Sequence, residues 1–290
     1  MNSEFSFRPD ASDRPRSSYS GTSRTQPHKP RLAVFKFSSC DGCQLQLLSC
    51  EDELLALADR LDIVHFLEAS SHIESGPYDI SLIEGSITTA ADRRRIQQIR
   101  IESGQLITIG ACATAGGIQA LKNWGDRADF LRCVYARPEF IDTLQTSTAI
   151  ADHVKVDFEL RGCPINRHQL LEVIGALLAG RRPRTATHSV CLDCKRNGTV
   201  CVAVASDATC LGPITQAGCG AICPHFQRGC YGCFGPAAQA GCDSLADWVL
   251  ADRTTPKQLV PLLRNFNAAA VEFRDCGDRV DPGSDMGQIQ

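Results

Sequence analysis

Sixteen cysteines in 290 residues constrain this chain more than any other feature. Cysteine at that density either staples a secreted domain with disulfides or holds metal inside a cell. Met1 to Pro30 is polar and rich in Ser, Arg and Pro. It has no apolar stretch of the kind a secretory signal needs, and no Arg-Arg pair precedes the first apolar run. No apolar run approaches the roughly 18 residues of a membrane span. The expectation is therefore a cytoplasmic metal protein, with disulfides as the alternative. A net charge of -3 and an aromatic share of 6% give no footing for nucleic acid or an anionic membrane as partner.

Residues 1–30 have the composition of a disordered tail. From Arg31 the pattern alternates. Arg31–Phe37, Ile63–Leu67, Asp79–Ile83, Gln105–Ile109 and Val154–Leu160 read as strands. Gln44–Ala58, Ala91–Glu102 and Asn166–Ala179 read as helices. Strands alternating with helices predict a parallel, doubly wound α/β sheet, whose ligands sit at the carboxyl ends of the strands. Cys40, Cys43, Cys112 and Cys163 all follow predicted strands, so the pattern gathers four thiols at one sheet edge. A zinc ion or a cubane cluster would accept four such ligands. From Cys191 to Pro236, Cys, Gly and Pro dominate and periodicity vanishes. That stretch has too few bulky apolar residues for its own core, and metal is the obvious support. Leu245–Leu250 and Lys257–Phe266 read as short helices, and Asp275–Gln290 as a loose end.

The run FSSCDGCQLQLL, then LIEGSI at Leu82–Ile87, GACATAGGI at Gly110–Ile118 and RGCPIN at Arg161–Asn166, resembles the small subunit of [NiFe]-hydrogenases. The resemblance spans roughly Arg31 to Pro236 and implies a flavodoxin-like domain over 31–182. It implies a cysteine-rich, mostly irregular iron–sulfur domain over 183–274, with a loose tail at 275–290. It also implies that Cys40, Cys43, Cys112 and Cys163 bind a proximal [4Fe-4S] cluster. Glu84 matches the family's Glu-Gly dipeptide, as a carboxylate bonded to backbone N–H groups or as a proton-path member. The related cluster-bearing subunit of respiratory complex I has two adjacent cysteines where this chain has Cys40-Asp41-Gly42-Cys43. It also lacks the cysteine-rich extension.

In that extension Cys191, Cys194, Cys201, Cys210, Cys219, Cys223, Cys230 and Cys233 make two four-ligand sites. Paired zinc knuckles use similar spacings. The resemblance divides them differently. Cys191, Cys194, Cys201 and Cys210 would bind a distal [4Fe-4S] cluster, and Cys219, Cys223, Cys230 and Cys233 a medial one. With three all-thiolate [4Fe-4S] clusters, low potentials suited to a carrier such as NADPH are implied. Cys50 and Cys133 read as buried small hydrophobes. Cys242 is a competing medial ligand, Cys276 binds nothing, and His225 is placed to tune a cluster by hydrogen bonding.

The function implied is the electron-transfer subunit of a soluble, cytoplasmic hydrogenase, most like the NADP-linked sulfhydrogenase type. Its large subunit would carry the nickel–iron centre and split H2. Its further partners would be flavin- and iron–sulfur-containing diaphorase subunits that use NAD(P). The alternatives are a hydrogenase coupled to heterodisulfide reductase or a deazaflavin acceptor, a regulatory H2 sensor, and a cysteine-rich zinc-binding interaction protein.

Overall fold

The computed structural model describes residues 29–282. The expected disordered tail lies outside the described residues except for Lys29 and Pro30, as does the end of the chain beyond residue 282.

Consecutive apolar residues with β-branched members build strands that are covered on both faces. These are β1 (Arg31–Lys36), β2 (Asp62–Phe66), β3 (Tyr78–Glu84), β4 (Ser103–Ile109) and β5 (Phe158–Leu160). They form one parallel sheet in the order β2-β1-β3-β4-β5. The order reverses between β1 and β3, and the loops after these two strands stay joined beyond the sheet by the Ser38–Ser86 bridge.

The helices of this first part are α1 (Gly42–Leu48), α2 (Glu51–Ala58), α3 (Ala90–Glu102), α4 (Gly110–Ala115), α5 (Arg127–Val134) and α6 (Arg167–Leu178). On one sheet face Leu32, Val34, Leu82 and Ile107 pack with Leu47 of α1 and with Leu170, Val173 and Ile174 of α6. On the other, Ala33, Phe35, Ile83 and Leu106 pack with Ile96 and Ile99 of α3 and Ala113 of α4. Asn166 caps α6 by accepting from the N–H groups of His168 and Gln169. Its amide donates to Gly218 O at 2.9 Å, fastening this helix to the cysteine-rich segment.

Six helices follow: α7 (Val190–Arg196), α8 (Val202–Ala205), α9 (Ile222–His225), α10 (Cys242–Asp252), α11 (Pro256–Leu263) and α12 (Val271–Val280). Around α7 to α9 the buried residues are small or thiol-bearing: Val190, Val202, Ala203, Cys210, Ala221 and Cys230. The last three helices make a fuller core of Leu245, Val249, Leu259, Leu263 and Phe273, which also receives Leu211 and Ile214 from the cysteine-rich segment.

Several expectations change. The single helix over Gln44–Ala58 is two, because the chain turns at Ser49-Cys50 and Glu51 takes φ 39°. The turn lets Cys50 point fully inward. The strand expected from Val154 begins only at Phe158, since Val154 and Val156 pack against the α3 side of the core. Cys133 is exposed, because α5 buries none of its residues. The loose end expected from Asp275 is helical to Val280, with Phe273, Cys276 and Gly277 buried along one face of α12.

Asp157 ties β5 to its neighbours. Its Oδ2 accepts from Leu106 N at 2.8 Å and from Arg100 Nη1 at 2.6 Å. Burial opposes ionisation, but the Leu106 N–H and the Arg100 guanidinium win and hold the carboxyl below its ordinary value. A depressed folded pKa gives stability that is present above the unfolded carboxylate range and lost as pH falls through the folded value. Asp157→Ala is expected to cost about 1–2 kcal/mol near pH 7. In denaturant unfolding of the parent and the variant, the gap should close as pH falls below about 4. A gap that does not vary with pH would contradict the assignment.

Candidate metal centres

The loop after β1 delivers the first thiols. Asp41 caps α1 in the left-handed region at φ 69°, so Cys40 stands before the helix and Cys43 inside its first turn. Cys40 is exposed and Cys43 is buried. Cys112 lies in α4, directly beyond β4, and Cys163 follows β5. Burial raises the pKa of the Cys43 thiol above its ordinary value, and Glu84, Cys112 and Cys163 add to it. Burial, then Cys163, with Cys40 adding further, pushes Cys112 up to about 11. The four thiols expected at one sheet edge therefore lie within electrostatic reach of one another.

Glu84 ends β3 beneath them and is 2% exposed. Its Oε1 accepts from Cys43 N at 3.0 Å and its Oε2 from Gln44 Nε2 at 2.7 Å. Burial raises the carboxyl's pKa against the pull of those two donors. Of the two roles considered for Glu84, this geometry displays the first: it fixes the backbone of the Cys43 turn.

The two sets expected of the eight later cysteines are not separate, since Cys210 bears electrostatically on Cys191 and Cys194 and on Cys223 and Cys230. Burial, then Cys210, Cys194 and Cys201, pushes Cys191 up to about 11. Burial, then Cys230, Cys219 and Cys223, pushes Cys233 up to about 12, and Cys163 contributes as well. Burial also raises Cys230 to about 12, against a hydrogen bond from Gly232 N–H and one with Thr215. The sets touch. The Cys230 N–H lies 3.2 Å from Cys210 Sγ, and the Gly212 N–H donates to the same sulfur at 3.4 Å. Cys163 thus lies within electrostatic reach of Cys233, Cys230 touches Cys210, and Cys201 is exposed.

Other side chains hold these loops. Arg161 Nη1 donates to Pro236 O at 3.2 Å. Asn267, buried in the turn between α11 and α12, donates through Nδ2 to Gly232 O at 2.9 Å and to Cys233 O at 3.1 Å. Sequence reasoning passed over Asn267, since an Asn in a helix-to-helix turn carries no signal of a thiol loop more than thirty residues away. Cys242 is not with the thiol sets; it packs among Leu245, Phe273 and Cys276 in the apolar core of the last helices. His225, whose alternatives are a plain surface or core residue and a tuning group, is exposed and stands edge-on to the Phe226 ring at 5.4 Å.

The donor chemistry fits iron–sulfur clusters: each set offers four thiols, with backbone N–H groups aimed at sulfur. The space fits too. A Cβ on Gly110 would overlap Cys43 Sγ, and one on Gly212 would stand 3.3 Å from Cys210 Sγ and 3.5 Å from Cys191 Sγ. Among the described residues no three Cys, His, Asp or Glu side chains are close enough to hold a single metal ion. A cubane makes a different demand, for sulfurs set apart at its corners.

A family model described as NADH ubiquinone oxidoreductase, 20 Kd subunit, matches residues 40–177. Sulfhydrogenase 2 subunit delta of Pyrococcus furiosus is 34% identical over 202 residues, covering 70% of this chain and 84% of that protein. A subunit of the vhu F420-non-reducing hydrogenase of Methanocaldococcus jannaschii is 32% identical over 236 residues, covering 70% of this chain and 81% of its own. A solved NAD+-reducing [NiFe]-hydrogenase in the H2-reduced state superposes with a TM-score of 0.51 at 27% identity. That match covers 55% of this chain and 96% of that one.

Proposed function

We propose a function from one premise: this chain belongs to the family of [NiFe]-hydrogenase small subunits. It is thus an iron–sulfur subunit of an oxidoreductase acting on hydrogen, and a large subunit that carries the catalytic centre is its partner. Membership in an iron–sulfur family sets the zinc-protein reading aside.

The finer reading is a wire of three [4Fe-4S] clusters. Cys40, Cys43, Cys112 and Cys163 would hold the proximal one. Cys219, Cys223, Cys230 and Cys233 would hold the medial one, and Cys191, Cys194, Cys201 and Cys210 the distal one. Bound clusters supply one-electron transfer that side chains lack. The chain's own residues bury Cys43, Cys210 and Cys230, aim backbone N–H groups at sulfur and leave Cys201 open to a partner. The observation that carries this reading is continuity. Cys163 helps to raise Cys233, and the Cys230 N–H meets Cys210 Sγ, so each expected set adjoins the next. The sheet domain, 31–182, bears the proximal set, and the cysteine-rich domain from residue 183 bears the others.

For the acceptor, the similarity to a sulfhydrogenase delta subunit and to an NAD+-reducing enzyme supports flavin- and iron–sulfur-containing diaphorase subunits that use NAD(P). The similarity to part of an F420-non-reducing hydrogenase supports the second reading, an acceptor of another kind such as heterodisulfide reductase. It speaks against a deazaflavin. Among the described residues no helix is long and apolar enough to cross a membrane.

The test uses the complex purified without oxygen. About twelve irons and as many acid-labile sulfides are expected in this subunit. Cys163→Ala is expected to stop H2-dependent reduction of NAD(P)+. Isotope exchange between H2 and water at the large subunit should persist. Reduction at the parental rate in that variant would refute the wire.

A further inference from the structure

We propose that Asn267 is a positioning residue for the Cys230–Cys233 loop, orienting its peptide groups and thereby setting the redox potential of the medial site. This rests on the reading of Cys230 and Cys233 as ligands.

Asn267 is 2% exposed, and its amide nitrogen serves two successive carbonyls, Gly232 O and Cys233 O. In a trans peptide the N–H points opposite to the C=O. Anchoring both carbonyls on Asn267 therefore turns the N–H groups of the next two residues away from it. Gly232 sits at φ 78°, and a Cβ there would stand 3.1 Å from Leu211 and 3.2 Å from Phe273, so the turn suits glycine.

The anchor is itself clamped. Arg264, 7% exposed, holds Asp278 Oδ1 at 2.6 Å, and the guanidinium lies 5.1 Å from the centre of the Trp124 ring. Trp124 Nε1 donates to the same Asp278 oxygen at 3.1 Å. A residue of the sheet domain thereby locks the turn that carries Asn267.

The other end of the amide points to a function in its donors. Asn267 Oδ1 is buried without a hydrogen-bond partner. A leucine of similar size would fill the space without that unpaired acceptor. The two donated bonds are what an asparagine contributes here and a leucine could not. Oriented N–H groups near thiolate sulfur favour the more negative, reduced state of a cluster. Loss of the anchor should therefore lower the medial potential.

The experiment compares the parent complex with Asn267→Leu, Asn267→Asp and Cys233→Ala, each with its large subunit. Iron is counted and the complexes are titrated under electron paramagnetic resonance. Both Asn267 variants are expected to show a downward shift of the medial midpoint, or loss of medial iron alone, with the proximal signal unmoved. Asn267→Asp keeps the shape of the side chain if the leucine disturbs folding. Three results would overturn the inference: a medial signal that titrates as in the parent in both variants, an upward shift, or loss of iron from all sites. Cys233→Ala separates the two readings. If that variant keeps every iron and every signal, the ligand assignment fails. If it loses the medial signal while the Asn267 variants match the parent, only the role of Asn267 fails.

Discussion

Gly110→Ala is expected to strip the proximal set of its iron, lowering the iron content of the subunit by roughly a third, about four of twelve. Gly110 has φ 87°, and its missing Cβ would overlap Cys43 Sγ with Gly162 O 3.5 Å behind. A side chain in the left-handed region costs about 1–2 kcal/mol by itself. The larger effect is steric. Cys43 is 7% exposed and its N–H is held by Glu84, so the sulfur has nowhere to retreat. Gly175→Ala is the control. It lies inside α6 with nothing within 4 Å of the added carbon, so iron should be unchanged and the helix firmer by about 0.5–1 kcal/mol. Iron and labile-sulfide analysis of both complexes decides the matter. Full iron in Gly110→Ala would mean that Cys43 does not occupy a crowded ligand position.

Glu84→Ala should be the most damaging single change to the stability of the sheet edge. It orphans Cys43 N–H and the Gln44 amide, both buried. Each unsatisfied donor costs about 1–3 kcal/mol, out of a total stability of about 5–15 kcal/mol. At about 2–4 °C per kcal/mol for a chain of this size, the melting midpoint of the anaerobic complex should drop by roughly 4–24 °C. Glu84→Gln keeps one acceptor and should lose about half as much. The comparison also tests the role of the carboxylate. A fixing role predicts that Gln recovers about half of the lost melting midpoint and keeps the iron. A melting midpoint within about 2 °C of the parent in Glu84→Ala would remove Glu84 from the frame of the site.

Much of the first domain was legible because its signals are local. Arg31–Lys36, Tyr78–Glu84 and Ser103–Ile109 carry apolar runs, and a strand rule finds them. The gathering of Cys40, Cys43, Cys112 and Cys163 follows from one fact about parallel sheets, that all carboxyl ends share an edge. What escaped depended on contacts distant in sequence. The break after Leu48 is invisible to periodicity, since leucines continue on both sides of it. Cys133 sits beside Phe130 and Leu131 and looks like core, yet α5 stands on the surface. Cys276 lies among Arg274, Asp275, Asp278 and Arg279, whose charges hide the apolar face shared by Phe273, Cys276 and Gly277. Asn267 shows its purpose only where its amide meets the thiol loop.

The clamp of Trp124, Asp278 and Arg264 has a consequence for the order in which the molecule can be made. Synthesis is vectorial, and at about 5–20 residues per second the stretch from Leu160 to Asp278 takes on the order of ten seconds to emerge. The sheet and Cys163 are complete at the start of that interval. The eight later thiols emerge next, before α11 and α12 can cover Leu211 and Ile214 or bring Asn267 to Gly232. For those seconds the nascent chain presents reactive sulfur with no lid over it. Iron delivery to the cysteine-rich domain must then either wait for the last helices or guard the thiols until they arrive.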